Sequence, residues 1–219
     1  MGALVQSWSF ELFGFRVNVQ PTFLLLLGVY LLFQLQVQEP LSAIVSWALV
    51  VFFSILLHEL GHALVARRFG LRVGDIVIHG LGGHVTHART TPKRQLAISL
   101  AGPLAGLTVG LVTLGVALVI PPAPGFAASL VGDILFVNIV WSVINLLPMY
   151  PLDGGNALRS ALSLVTSERS AWRITAMCGI TCGIAAVILG YTGAFGGTFM
   201  MFLGGYVTWQ NVQVYQQFA

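Results

Sequence analysis

Charged side chains are scarce in this sequence, and that scarcity excludes an ordinary soluble domain. Asp, Glu, Lys and Arg make up 8% of the 219 residues, whereas soluble globular domains carry about 25%. Hydrophobic residues make up 57%, in uncharged runs that recur along the whole length. The sequence therefore predicts an all-α polytopic membrane protein. The formal net charge of +3 comes from basic residues spread over separate loops, so we expect no nucleic-acid partner.

Cysteine is also rare, and the two that are present do not suit a disulfide. Cys178 and Cys182 lie four residues apart in one apolar run. Helical geometry at that spacing does not match the requirements of an S–S bond. We therefore interpret both as small packing residues on a helix face.

The apolar runs predict about six transmembrane helices within one membrane domain that covers residues 1–219. Residues 8–20 alternate loosely between apolar and polar and predict a short strand before the first span. Residues 71–91 are polar and broken by glycines, which predicts a membrane-associated β-hairpin or short sheet. The predicted spans are 21–37, 41–68, 95–120, 127–147, 171–191 and 195–209.

Lysine and arginine fall on one side of this predicted membrane arrangement. With the N-terminus inside, all ten basic residues lie in cytoplasmic segments and the outside loops hold none. Such a bias marks the cytoplasmic side of a bilayer. We therefore expect a multi-pass protein of the cell (plasma or inner) membrane with both termini in the cytoplasm.

Residues 58–62 read HELGH, an HExxH sequence inside an apolar run. On a helix, His58 and His62 point the same way, so both imidazoles can bind one metal ion. Glu59 is then placed to take a proton from a water that the metal activates. Ordinary helix packing is the alternative, but ionisable groups at membrane depth need a compensating partner, which a divalent cation supplies. Counting back from Arg67 places this site near the cytoplasmic face.

A third ligand is expected elsewhere, since catalytic zinc usually has three protein ligands. Asp153 is the best-placed acid, because it follows a span that returns to the cytoplasmic side and lies in a break rich in Pro and Gly. Its position also fits the N-cap of a helix over residues 154–165. We favour the ligand interpretation and keep the N-cap as the alternative.

Three polar residues share one face of the fourth predicted span: Asn138, Ser142 and Asn145. A polar stripe facing lipid would be costly, so we expect it to face the interior of the bundle. Asn145 lies closest to the break and could donate a hydrogen bond to a developing oxyanion or to a substrate carbonyl. Hydrogen bonding between helices accounts equally well for Asn138 and Ser142.

Two motifs in order, HELGH at 58–62 and NLLPMYPLDGG at 145–155, resemble those of the site-2 protease family of intramembrane zinc metalloproteases. The second has the family form NxxPxxPxxDG, and AGPLAGL at 101–107 is also similar to members of the family. The resemblance covers nearly the whole membrane core. It implies an endopeptidase that cleaves transmembrane segments of substrate proteins.

The resemblance also implies roles for individual residues. His58, His62 and Asp153 would bind one catalytic Zn²⁺ ion. Glu59 would be the catalytic acid and base, and Asn145 would be a hydrogen-bond donor on the oxyanion side. The expected cofactor is therefore a single zinc ion.

A substrate-binding role is implied for the hairpin segment, which would take up an unwound substrate as an added strand. We assign substrate contacts to Gly82, Gly83 and Asn138. Many relatives carry a PDZ or a CBS domain, and this chain shows neither, so we expect a minimal core that depends on a regulatory membrane partner or on oligomerisation.

Two alternatives remain open at this stage. His79, His84 and His87 crowd the hairpin segment and could form an extra or inhibitory metal site, although solvated loop histidines are the favoured account. A membrane metal-ion transporter or metal-binding protein could use the same ligands as the protease. The glutamate that follows the first histidine of the HExxH motif argues against a transporter.

Overall fold

The computed structural model describes residues 7–36, 40–80, 82–193 and 197–218. Residue 37, at the predicted end of the first span, and residues 195–196, at the predicted start of the last, lie outside the described residues. Residues Phe136–Val140 form a π-helical segment. The elements in chain order are β1 (Trp8–Leu12), β2 (Phe15–Val19), α1 (Pro21–Gln36), α2 (Leu41–Arg68), β3 (Val73–His79), β4 (Gly82–His87), α3 (Pro92–Val119), α4 (Phe126–Leu135), α5 (Trp141–Asn145), α6 (Asp153–Leu162), α7 (Glu168–Tyr191) and α8 (Thr198–Gln217).

Four helices are long and apolar enough to cross a membrane, judged by length and composition over the described residues. They are α2, α3, α7 and the run Phe126–Asn145. The mostly helical character with several candidate membrane spans is thereby confirmed, whereas the predicted number of six spans stays a prediction. Helix α1 has 16 residues, which is short of the roughly 20 that a perpendicular span needs. Helix α8 has 20 residues and carries several polar side chains.

Residues 8–20 form two strands, and the prediction of a single strand is wrong. β1 and β2 pair antiparallel, and the turn between them places Phe13 and Gly14 at positive φ values of 51° and 75°. Left-handed backbone at both central positions is what a tight two-residue hairpin requires. Phenylalanine rarely adopts that conformation, so the sequence carries no clear turn signal at this point.

The hairpin predicted for residues 71–91 is confirmed as β3 and β4, which pair antiparallel. It joins the N-terminal hairpin in a four-stranded sheet of order β1-β2-β3-β4. The junction is a parallel pairing in which Val17 lies opposite Ile76. The sheet therefore connects segments that flank α1 and α2 in sequence.

One face of this sheet forms a hydrophobic core against α2. Val17, Ile76 and Ile78 expose none of their surface, and they pack in one cluster with Leu56 and Ala63 of α2. Alternation along the strands puts the polar residues on the opposite face. The core fixes the sheet against the half of α2 that carries HELGH.

The chain divides into two compact units, which we describe separately. The first comprises the chain up to Arg89 together with Ala101–Ser142, and the second comprises Thr90–Leu100 together with the chain from Val143 onward. The sheet, α1, α2 and α4 belong to the first unit, and α6, α7 and α8 belong to the second.

Helices α7 and α8 pack closely along each other in the second unit. A Cβ added at Gly183 would lie only 2.8 Å from the carbonyl oxygen of Gly204. Small residues of this kind let helix backbones approach each other. Cys178 and Cys182 lie on α7 as free, partly buried thiols, as the sequence predicts.

Candidate functional site

The HELGH sequence lies in the second half of α2, where all three ionisable side chains are buried. His58, Glu59 and His62 expose 9%, 5% and 7% of their surface. The Nε2 atoms of the two histidines, one turn apart, are separated by 3.2 Å. Two nitrogens that each lie about 2.05 Å from a tetrahedral zinc ion would be about 3.3 Å apart. The histidine pair therefore fits one metal ion as it stands.

Helix α3 approaches these histidines so closely that a side chain at residue 102 would collide with them. A Cβ at Gly102 would meet Nε2 of His62 and would lie 2.8 Å from Nε2 of His58. A Cβ at Gly61 would lie 2.6 Å from the carbonyl oxygen of Ala101. The two helices thus cross through facing glycines. The AGPLAGL segment therefore lies directly beside the imidazole nitrogens at Gly102.

Strand β4 passes directly beside the glutamate of HELGH. A Cβ at Gly83 would lie 2.6 Å from Cγ and 2.8 Å from Oε1 of Glu59. Gly83 is paired with Ile78, which is fully buried, so it lies on the inner face of the sheet. The absence of a side chain at Gly83 leaves room for the Glu59 carboxylate.

The polar stripe of the fourth predicted span faces the interior, as expected. Asn138 and Ser142 expose 4% and 2% of their surface. Asn138 Nδ2 donates to Ser54 Oγ on α2 and to the carbonyl oxygen of Ile134, both at 3.0 Å. A Cβ at Gly106 of α3 would meet the Ser142 hydroxyl. The interhelical hydrogen bond is therefore present for Asn138, while its substrate contact stays a prediction.

Asp153 belongs to the second unit and begins α6. The N-cap residue of that helix is Leu152, whose side chain makes no capping hydrogen bond. The N-cap alternative for Asp153 is therefore wrong, because the helix starts one residue earlier than expected. The half-buried carboxylate lies in the first turn, at the positive end of the helix dipole.

The segment before Asp153 folds tightly against the start of α6. A Cβ at Gly154 would meet the carbonyl of Leu146, and a Cβ at Gly155 would lie 2.6 Å from the carbonyl oxygen of Met149. The two glycines that follow the aspartate therefore let the loop pass over the first helical turn. Any larger residue at either position would push the loop away.

Of the predicted site residues, His58 and His62 in the first unit and Asp153 in the second carry side chains of the kinds that bind metal ions. Imidazole nitrogen and carboxylate oxygen are ordinary zinc donors. Asn145 is the last residue of α5 and is half-buried in the second unit.

The three hairpin histidines stand apart from this group. The rings of His79 and His84 have their centroids 5.4 Å apart on the outer face of the sheet, and Nδ1 of His87 lies 2.9 Å from the carbonyl oxygen of Ala88. Burial, and then the charge of His84, lower the pKa of His79. Across the ranges that the structure describes, these histidines belong to no set of three metal-binding side chains.

Two residues that the sequence analysis left without a role are tied to the site. Gly102 lies against the histidine pair, and Asn211 on α8 donates from Nδ2 to the carbonyl oxygen of Tyr150 at 2.6 Å, three residues before Asp153. A lone amide in an apolar helix and a glycine within a small-residue motif are the signals that could have pointed to them.

Comparison with known proteins gives consistent matches. Residues 46–129 match the model of peptidase family M50. A putative zinc metalloprotease from Synechocystis is 32% identical over 92% of this chain and 57% of its own length. A zinc metalloprotease from Methanocaldococcus jannaschii is 28% identical over 83% and 52% of the two chains, and the putative zinc metalloprotease Rip3 from Mycobacterium tuberculosis is 30% identical over 89% and 54%.

The chain thus spans about half the length of these curated relatives. Among solved structures, it is similar to the site-2 protease from Methanocaldococcus jannaschii, with a TM-score of 0.71 and 24% identity. That match covers 96% of this chain and 95% of the solved one. At this level of identity, the likeness shows a common fold.

Proposed function

Because the chain carries a peptidase family M50 domain, the domain of the site-2 proteases, we propose that it is an intramembrane zinc endopeptidase that cleaves transmembrane segments of membrane proteins. The observation that carries the proposal is the buried histidine pair on α2, with its Nε2 atoms 3.2 Å apart and Glu59 between them in sequence. The names of the relatives support a protease over the metal-ion transporter.

We assign His58, His62 and Asp153 as the ligands of one zinc ion. The assignment is supported by the chemistry of the donors and by the spacing of the two imidazole nitrogens. Zinc in such a site supplies a Lewis acid that makes water nucleophilic near neutral pH and polarises a carbonyl.

Glu59 is the acid and base of the proposed reaction. Its carboxylate accepts a proton as the water oxygen attacks the scissile carbonyl carbon. It then gives that proton to the amine nitrogen as the C–N bond breaks. Burial of Glu59 beside Gly83 leaves the carboxylate few other orientations. Asn145 is proposed to donate a hydrogen bond to the carbonyl oxygen as negative charge develops there.

The substrate is proposed to bind as an additional strand along β4. This strand lies at one edge of the sheet, and its backbone polar groups on that side are suited to pairing with another chain. Gly82 and Gly83 allow close approach of a second backbone, and Gly83 already lies beside Glu59. Asn138 Oδ1 is buried without a hydrogen-bond partner among the described residues, so it is available to accept from a substrate N–H.

The finer topology follows from charge distribution. We propose six spans in a single membrane domain, with α1 and α8 completing the four helices that meet the length and composition requirement. Both termini and the active site then lie toward the cytoplasm, because all ten basic residues fall in the segments on that side. Bilayer lipid and membrane-embedded substrates are the expected partners, with a regulatory membrane protein or a second copy as further candidates.

Replacement of the proposed general base tests this function. Glu59→Gln in the purified full chain should lower the rate of cleavage of single-span substrates by about 10²–10⁴-fold, because amide nitrogen cannot accept the proton. The bound zinc, measured by elemental analysis, should be unchanged. Glu11→Gln, an isosteric change at an exposed strand position, is the control and should cleave at the wild-type rate.

Two results would count against the proposal. Wild-type cleavage by the Glu59 variant would remove the residue from the reaction. Zinc flux into liposomes by the wild-type protein, without any peptide cleavage, would favour the transporter instead.

A further inference from the structure

Helix α8 carries one fully buried amide, and it is connected to the segment that leads into Asp153. Asn211 exposes none of its surface. Its Nδ2 donates to the carbonyl oxygen of Tyr150 at 2.6 Å and to that of Val207 at 2.8 Å. A buried amide without partners would be destabilising, so these two bonds hold the side chain in one orientation.

Tyr150 is held from two directions. Asn211 binds its carbonyl oxygen, and the ring of Trp172 on α7 packs edge-on against its ring, with centroids 5.8 Å apart. The carbonyl oxygen of Met149 accepts from the amide of Leu152 at 3.0 Å. The loop before Asp153 is therefore anchored to α7 and α8, outside the helix that the aspartate begins.

We propose that Asn211 is a positioning residue for the zinc ligand Asp153. By holding the Tyr150 carbonyl, it fixes the path of the three residues that follow and so the place at which α6 starts. The carboxylate is displaced when that anchor is lost, although Asn211 itself contacts neither metal nor substrate. This inference rests on the proposed function, since it takes Asp153 as a ligand.

Helix α7 offers a second way to disturb the same anchor. A Cβ at Gly179 would meet Oδ1 of Asn211 and would lie 2.7 Å from its Nδ2. Gly183, one turn further along α7, is also close to α8, but its added Cβ would meet the hydroxyl of Thr208 and would lie 2.8 Å from the carbonyl oxygen of Gly204, away from Asn211. The two glycines therefore form a matched pair: each tests packing between the helices, and only Gly179 tests Asn211.

A purely structural role for Asn211 predicts a different outcome from a positioning role. If Asn211 only ties α8 into the bundle, its loss lowers the thermal stability of the protein and leaves zinc affinity unchanged. If it positions Asp153, zinc affinity and kcat fall together while KM changes little, because the proposed substrate contacts lie along β4, which Asn211 and Tyr150 do not join.

The test measures zinc affinity by competition with a chelator, using the full chain purified in detergent. Asn211→Leu, which keeps the branch at Cγ and removes the donor, and Gly179→Ala should each weaken zinc binding by about tenfold or more, within the range seen when outer partners of metal ligands are lost. Gly183→Ala should stay within about twofold of wild type, although its thermal unfolding shifts at least as much as that of Gly179→Ala, because its Cβ also meets backbone.

Unchanged zinc affinity in Asn211→Leu, or equal losses in the Gly179 and Gly183 variants, would overturn the inference. If Asn211→Leu does not fold, the two glycine variants decide. Asp153→Asn separates the two proposals. If Asp153→Asn still binds zinc, the assigned ligand set is wrong. If Asp153→Asn loses zinc while the Asn211 and Gly179 variants bind it normally, only the positioning role is refuted.

Discussion

His58 and His62 share a face of one α-helix, whereas Asp153 begins a helix whose approach is fixed by residues from distant segments. For the histidines, the i, i+4 spacing alone brings Nε2 atoms to 3.2 Å. For the aspartate, the loop before it depends on Asn211 of α8 and on Trp172 of α7. Local geometry therefore builds the histidine pair of the proposed site, and tertiary contacts position the proposed aspartate ligand.

This difference has a consequence for robustness. A helix keeps its internal spacing when its neighbours shift, so the histidine pair should tolerate changes at residues that do not contact the imidazoles. A loop keeps its path only while its anchors remain, because local opening concentrates in segments with few buried contacts. Mutations remote from the chemistry should therefore act on the site mainly through Asp153.

The largest expected effect comes from the ligands themselves. His62→Ala and Asp153→Ala should each weaken zinc binding by more than about 100-fold, beyond the range typical of residues that only support ligands. Isothermal or chelator-competition titration of the purified chain gives the affinity. His87→Ala, a histidine change on the hairpin, is the control. If either ligand variant bound zinc as tightly as the control, the assigned ligand set would be wrong.

A smaller effect is expected where α3 crosses the histidines. Gly102→Ala places a Cβ 2.8 Å from Nε2 of His58, and overpacking of this kind typically costs about 1–3 kcal/mol. Zinc affinity should fall by about tenfold. Gly115→Ala on the same helix, where no atom of the described residues lies within 4 Å of the added Cβ, should leave zinc affinity unchanged. Equal behaviour of the two variants would show that the close approach at Gly102 does not matter.

The sequence predicts the histidine half of the site more completely than the aspartate half. An apolar run bounded by Pro40 and Arg67-Arg68 predicts α2 at 41–68, and the observed helix is Leu41–Arg68. Asp153 could be singled out by elimination, but both a ligand and an N-cap fit its position. The structure contradicts the N-cap interpretation of Asp153, because Leu152 is the N-cap residue.

What the sequence could not supply depends on contacts between distant residues. The turn at Phe13 could not be predicted because an aromatic residue, which is not a turn signal, adopts the left-handed backbone there. The role of Asn211 is hidden because its partner, the backbone of Tyr150, lies 61 positions away. A local pattern contains no information about such pairs, whereas the 3.6-residue period of a helix is visible in every window.

The hydrogen bond between Asn138 and Ser54 allows a test of whether Asn138 serves packing or substrate. Ser54→Ala should lower the free energy of unfolding by about 0.6 kcal/mol, the average for such bonds between membrane helices, and should leave KM unchanged. Asn138→Leu should lower stability by a similar amount and also raise KM a few-fold, because the free Oδ1 is lost as an acceptor. Steady-state cleavage kinetics and unfolding in detergent provide the two measurements. An unchanged KM in Asn138→Leu would leave the residue a purely structural role.

The smallest expected effect concerns pH and lies on the outer face of the sheet. Burial and the nearby His84 hold the pKa of His79 below its ordinary value of 6.5, so the unfolded chain binds more protons as pH falls through that value. Neutral His79 therefore contributes to the stability of the folded state above pH 6.5. This contribution is lost as the pH drops from 6.5 toward the lower folded-state pKa. His79→Gln should make Tm less dependent on pH between about 7.5 and about 5.5, by less than about 2 °C because the ring is only partly buried. His87→Gln, whose ring contacts the neighbouring Ala88 carbonyl, is the matched control, and a steeper pH dependence in His79→Gln would contradict the expected direction.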